Sequence, residues 1–158
     1  MIMRQKANEF IHKMQEEELT LALAESITSG LAAAKLSSCV GVSEVLTASL
    51  VCYTPEAKME LLGVKQKTID RYTCESAEVT REMAQQLTKL VTADVYAAIT
   101  GLASSDGSET KDKPVGTVFF CILIAERVHA FRKVFRGTPL EIKKKAALEV
   151  YKLILGLL

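Results

Sequence analysis

Two histidines, His12 and His129, leave this chain of 158 residues little scope for imidazole chemistry. His12 falls on the polar side of an amphipathic segment, and His129 alternates with apolar residues in a strand-like run. Both are structural or surface settings for a histidine. A Ser-His-Asp site would need one of them beside a nucleophile, and a metal centre would need several ligands at short spacing. What the chain offers instead is serine, threonine, tyrosine and lysine. A lysine can act as base to a serine when burial disfavours its charged form. Lys58 is the leading candidate. In a helix over 55–62 it shares a face with Leu61 and Leu62, while Glu56 and Glu60 point elsewhere. It either snorkels from that apolar face to water or is held inward for use. The run Lys143, Lys144, Lys145 reads as a solvated helix face.

Ser26 stands at the end of an apolar run and just before a small-residue segment, with Thr28 and Ser29 following it. Backbone N–H groups in the first turn of a helix there are free to bind an anion or an oxyanion. The plainer role for Ser26 or Thr28 is to cap that helix. Ser43, in Gly41-Val42-Ser43-Glu44, is on its own a turn serine. The loop 101–108 has the glycine, serine and aspartate of a phosphate cradle, and also of an ordinary loop.

The elements that must carry these residues follow from hydrophobic periodicity. Met3, Ala7, Phe10, Ile11 and Met14 are spaced as one face of a helix over 3–17. Runs 19–24, 45–53 and 95–100 read as strands, and 27–38 as a helix apolar on nearly all sides, hence buried. Thr54-Pro55-Glu56 opens a short helix that Gly63 ends. Ser76 caps a longer helix after an irregular stretch. Residues 101–114 form the longest loop, 115–125 and 128–134 a hairpin, and Thr138-Pro139-Leu140-Glu141 a capping box that launches the last helix. This order predicts an α/β fold with helices on both faces of a largely parallel sheet. Ligands bind such sheets beyond the carboxyl ends of the strands, which points to 25–30, 53–58 and 100–107.

Composition narrows the function classes. The chain is 49% hydrophobic and balances 20 basic against 19 acidic residues, for a net charge of +1. A nucleic-acid binder shows a clearly basic domain, and 6% aromatics without tryptophan leave little for base stacking. The length suits one domain with a core that needs no staples. Cys39, Cys52, Cys74 and Cys121 form no C-x-x-C pair, so zinc and thioredoxin-like sites are not expected and a reduced, cytoplasmic setting is. No signal peptide and no membrane span are expected from the apolar runs.

Four stretches resemble one family. Ala24-Glu25-Ser26-Ile27-Thr28-Ser29-Gly30 is similar to the A-E-S-C-T-G-G motif of the CinA C-terminal domain family, which includes nicotinamide mononucleotide deamidases. Tyr53-Thr54-Pro55-Glu56-Ala57-Lys58 with Leu62-Gly63-Val64 resembles its Y-S-N-E-A-K…G-V stretch. Ile99-Thr100-Gly101-Leu102-Ala103 resembles the start of its S/T-G-I-A-G-P-D-G loop, and Lys113-Pro114-Val115-Gly116-Thr117-Val118 matches K-P-V-G-T-V throughout. The sequence departs at Ile27 and Ser29, at Ser104-Ser105, at Ser108, and at Thr138-Pro139, where the family often has an arginine.

The resemblance implies a three-layer α/β/α sandwich with a mixed, mostly parallel sheet, a single domain over 1–158, and none of the larger N-terminal domain of fused members. It implies hydrolysis of the carboxamide of nicotinamide mononucleotide by a serine–lysine site, without metal or cofactor. Carried over by position, the catalytic set is Ser26, Ser43, Tyr53, Lys58 and Thr100, with either serine as nucleophile and Tyr53 orienting the lysine or the ring. Thr100 and helix-terminal N–H groups would stabilise the oxyanion. Glu25, Thr28, Ser29, Gly30, Gly101 and Arg136 would bind substrate, Arg136 standing in for the missing arginine. The expected partner is a small nucleotide, with no nucleic acid and no membrane, and a homodimer or larger homo-oligomer is compatible with the pattern. The departures leave one alternative, a relative that binds a nucleotide or a protein partner without turnover.

Overall fold

The computed structural model describes residues 2–105 and 108–158, with side chains from Gln5 onward. The chain runs α1 (Ile2–Glu16), β1 (Leu21–Glu25), α2 (Leu31–Ser37), α3 (Val42–Val45), β2 (Leu46–Val51) and α4 (Pro55–Leu62). It continues with α5 (Gln66–Tyr72), α6 (Ala77–Leu87), β3 (Val95–Gly101), β4 (Thr117–Ile124), β5 (Arg127–Val134) and α7 (Pro139–Leu155). The strands form one sheet in the order β2-β1-β3-β4-β5. β1 pairs in parallel with β2 and β3, and the β3–β4 and β4–β5 pairs are antiparallel. Four strands therefore point one way and β4 alone is reversed, which makes the sheet mixed and mostly parallel.

Side chains alternate across the sheet, and each face meets its own helices. Leu21, Leu23, Ala97, Ile99, Phe120 and Ile122 pack under α1, α2 and α7 through Phe10, Met14, Leu36, Val150 and Ile154. Ala22, Ala24, Ala98 and Cys121 face α4, α5 and α6 through Leu62, Ile69, Val79, Met83 and Leu87. All five residues of β1 are buried, the signature of a central strand covered on both faces. The result is the three-layer α/β/α arrangement.

The caps sit where the sequence puts them. The hydroxyls of Thr54, Ser76 and Thr138 accept from the N–H groups of Ala57, Val79 and Glu141, and the Thr138–Glu141 box is closed in both directions. Among the described residues, three helices lack such a side-chain cap: α2, which starts after Gly30, α3, of four residues, and α5, which buries only Ile69. The helix expected over 27–38 shrinks to Leu31–Ser37, because Ser29 (φ 53°) and Gly30 (φ 89°) turn left-handed and break it. It is also less buried than its alanines suggest, with only Ala32 and Leu36 fully covered.

Gly101 lies where β3 and β4 approach most closely. A Cβ there would stand 2.6 Å from the Thr117 carbonyl oxygen and 2.9 Å from the Val118 Cα, both backbone atoms that cannot swing away. Its function is therefore to permit that approach. Gly101→Ala should cost roughly 1–3 kcal/mol, the usual penalty for overpacking, measured as a lower urea midpoint at unchanged slope. A variant as stable as the parent would show that the strands separate freely.

A candidate serine–lysine site

Because β1, β2 and β3 run in parallel, their carboxyl ends deliver Ser26, Cys52-Tyr53 and Thr100 to one edge of the sheet. The turn after β2 leads through the Thr54 cap and Pro55 into α4, whose first turns project Lys58 back under that edge. Lys58 is only 1% exposed. Its Nζ lies 2.9 Å from the Cys52 carbonyl oxygen, 3.2 Å from that of Tyr53 and 3.0 Å from Ser26 Oγ. Leu62 shares this buried face, but Leu61 is 54% exposed and turns outward, so the expected apolar stripe is narrower.

Burial lowers the pKa of the Lys58 ammonium from the ordinary lysine value, and Cys74, Glu75 and Cys52 nearby oppose that shift only in part. The three neighbours suit the neutral amine. Its two N–H groups satisfy the two carbonyls, and its lone pair is left facing the Ser26 hydroxyl. Protonated, the same nitrogen donates to all three. The geometry accommodates a proton moving from Ser26 to Lys58 and back.

The turn carrying Ser26 is anchored on both sides. The Ser26 N–H donates to the Ile99 carbonyl (3.0 Å), and the Cys52 N–H donates to the Glu25 carbonyl (2.8 Å). Glu25 itself is fully buried. Its carboxylate accepts from the N–H groups of Ala32 (3.1 Å) and Ala33 (2.9 Å) and from the Ser49 hydroxyl (2.9 Å). This corrects the expected anion site: the first N–H groups of α2 are already taken, and Glu25 is a strut rather than a ligand contact. Among the described residues the N–H groups of Ile27 and Thr28, directly after Ser26, have no partner. Thr28 Oγ1 is buried and likewise unpartnered.

Thr100 is buried beside this turn, but its proton is committed. Thr80 Oγ1 donates to the Ser76 carbonyl (2.6 Å), so the 2.8 Å bond between the two threonines has Thr100 as donor. Thr100 thus ties β3 to α6 and has no proton left for an oxyanion. Tyr53 contributes its carbonyl to Lys58, while its ring is 58% exposed. Ser43 is not brought to Lys58. It is exposed in α3, before β2 begins, with about 17 Å of strand between it and Cys52 at 3.3 Å per residue.

The cation that reaches this edge is Lys143. Its Nζ donates to Ser29 Oγ (3.1 Å) and lies 5.2 Å from the centre of the Tyr53 ring. Sequence reasoning set Lys143 aside with its neighbours. The usable signal was its place one turn past a capping box, at the end of a helix starting on the site's side of the sheet. Arg136 is exposed in the turn before α7, and no contact links its guanidinium to Ser26, Ser29 or Lys58 among the described residues. Gly30 supplies the left-handed turn before α2. Of the loop over 101–107, Asp106 and Gly107 lie outside the described residues. Among those described, no three His, Cys, Asp or Glu side chains gather as a metal site, and no helix is long and apolar enough to cross a membrane.

The model of the CinA C-terminal domain matches residues 3–158. The chain belongs to the CinA C-terminal domain family. A CinA-like protein of Petrotoga mobilis is 40% identical over 145 residues, covering 91% of this chain and 36% of that protein. A CinA-like protein of Fusobacterium nucleatum is 38% identical over 140 residues, covering 88% of this chain and 34% of the relative. The chain thus spans about a third of the length of these relatives. A crystal structure of a competence-damaged protein (CinA) superfamily protein from Escherichia coli superposes at a TM-score of 0.91 and 29% identity, covering 99% of this chain and 90% of that one. The competence/damage inducible protein CihA of Agrobacterium tumefaciens superposes at 0.90 and 26% identity, covering 98% and 94%. The mixed sheet is thus the fold of the CinA superfamily.

The depressed Lys58 value has a consequence for stability. Between that lowered value and the ordinary 10.5, the unfolded chain holds a proton that the folded chain has lost, so this group makes stability rise with pH across the window. Urea denaturation from pH 7 to 10 should show this contribution as the difference between the parent and Lys58→Met. Parallel profiles for the two proteins would mean that Lys58 keeps an ordinary affinity for its proton.

Proposed function

We propose that residues 1–158 form one amidohydrolase domain that converts nicotinamide mononucleotide to nicotinic acid mononucleotide and ammonia, a step of pyridine nucleotide recycling. The observation that carries the chemistry is the 3.0 Å contact between the buried Lys58 Nζ and Ser26 Oγ. Family membership supports the choice of substrate.

Ser26 Oγ attacks the carboxamide carbon as its proton passes to the neutral Lys58 amine. The developing oxyanion lies next to the unpartnered N–H groups of Ile27 and Thr28, where preorganised donors act most strongly. Collapse breaks the C–N bond, and Lys58 returns the proton to the departing nitrogen, releasing ammonia and leaving an acyl ester on Ser26. A water then attacks that ester. Lys58 takes its proton and hands it to Ser26 Oγ, freeing the carboxylic acid. The Cys52 and Tyr53 carbonyls hold the amine in register throughout and favour its return to two N–H bonds.

Ammonia release from nicotinamide mononucleotide by the purified protein tests this directly. Ser26→Ala should abolish it, and Lys58→Met should lower it roughly 10²–10⁴-fold, the span of general acid–base catalysis. Ser43→Ala should turn over like the parent. The rate should rise with pH to a plateau as Lys58 loses its proton. Parental turnover in Lys58→Met would overturn the mechanism. Nucleotide binding without ammonia release would favour a non-catalytic binding domain.

A further inference from the structure

Among the described residues, Lys143 is a cation without a counter-charge. No carboxylate of the described residues lies within ion-pairing distance of it, and Glu141, its nearest acid along α7, is engaged with the Thr138 N–H. Its contacts among the described residues are neutral: the Ser29 hydroxyl at 3.1 Å and the face of the Tyr53 ring at 5.2 Å. A hydroxyl and a ring face hold an ammonium without neutralising it. The full charge therefore stays available to a ligand.

The position of that charge matters as much as its sign. Ser29 belongs to the same turn as Ser26, three residues on, and is exposed where Ser26 is buried. Tyr53 belongs to the same turn as the carbonyls that hold Lys58. Lys143 thus stands on the rim of the serine–lysine pair and not at its floor. The Ser29 hydroxyl proton has only two long contacts, at 3.5 Å to the Ser26 and Ile27 carbonyls, and is free to turn outward. The N–H of Gly30, next in the chain, makes no hydrogen bond among the described residues. An ammonium, a hydroxyl and a backbone N–H can serve the three terminal oxygens of a phosphate monoester, more than the two of a carboxylate need.

We infer that Lys143, with Ser29, anchors a phosphate monoester on the substrate and selects a mononucleotide over the corresponding nucleoside, while the exposed Tyr53 ring flanks the sugar and base between anchor and nucleophile. The inference rests on the amide-hydrolase reading for the identity of the reacting group. It places the phosphate on α7 and Ser29 rather than on the α2 N–H groups, which Glu25 occupies, or on Arg136.

The test compares nicotinamide mononucleotide with nicotinamide riboside in the parent, Lys143→Met and Lys143→Arg. The ratio of kcat/KM for nucleotide over riboside should fall about tenfold or more in Lys143→Met, as expected for loss of a charge-assisted contact. It should be largely restored in Lys143→Arg. Inorganic phosphate should compete with the nucleotide in the parent and do so more weakly in Lys143→Met. An unchanged ratio, or a methionine variant as well inhibited by phosphate as the parent, would overturn the inference. If the parent releases ammonia from neither compound, the hydrolase reading fails. The anchor is then judged from the calorimetric Kd ratio for the same two ligands. Far-UV circular dichroism confirms that the variants fold, and the half-exposed position of Lys143 predicts that they do.

Discussion

A buried carboxylate organises this molecule. Removing Glu25 from water is costly unless its oxygens are fully bonded, and three donors from two other elements provide those bonds. Two come from the start of α2 and one from Ser49 on β2, so one side chain on the central strand fixes a helix above the sheet and the strand beside it. The favourable position of a negative charge at a helix N-terminus adds to this. With β1, β2 and α2 tied at one point, the short turn between them has little freedom, and Ser26 is presented from it in one orientation.

Lys58 depends on that fixed frame. A lysine buried at this depth is stable only where its nitrogen is solvated by protein, and here two consecutive backbone carbonyls do so. Backbone acceptors differ from a carboxylate partner in one decisive way. They bond the amine without adding a negative charge that would hold the proton in place. Burial then depresses the affinity for that proton, and the hydroxyl of Ser26 is the third neighbour. The same turn that supplies the carbonyls also supplies the Tyr53 ring at the rim.

Much of this was legible in the sequence because it was local. Hydroxyl caps at Thr54, Ser76 and Thr138, proline at the first helical position and glycine after α4 act within a few residues, and all appear in the fold. The apolar runs of β1 and β3 and the sharing of a helix face by Lys58 and Leu62 are local in the same sense. What escaped was set by long-range pairing. Periodicity along 27–38 cannot reveal that a carboxylate just upstream takes the helix N–H groups, nor that Ser29 and Gly30 go left-handed. Thr100 looks like a free hydroxyl until α6 brings Thr80 to it. Ser43 looks close to Tyr53 along the chain, yet a whole strand lies between them. Lys143 was hidden among identical neighbours, since only the docking of α7 separates the one facing the turn from those facing water.

The single reversed strand, β4, has an effect on how such a protein can diversify. Because β4 runs back, β5 returns to the same edge as β1 and β2, and α7 starts on the side where Ser26 lies. Residues that would meet the reacting bond belong to the first half of the chain, and the cation that would choose the rest of the molecule belongs to the last helix. Selection can therefore drift on the two independently. A changed residue in the opening turns of α7 would retune which ligands are retained while leaving the bond-breaking machinery untouched, so members of one fold could share a reaction and differ in diet.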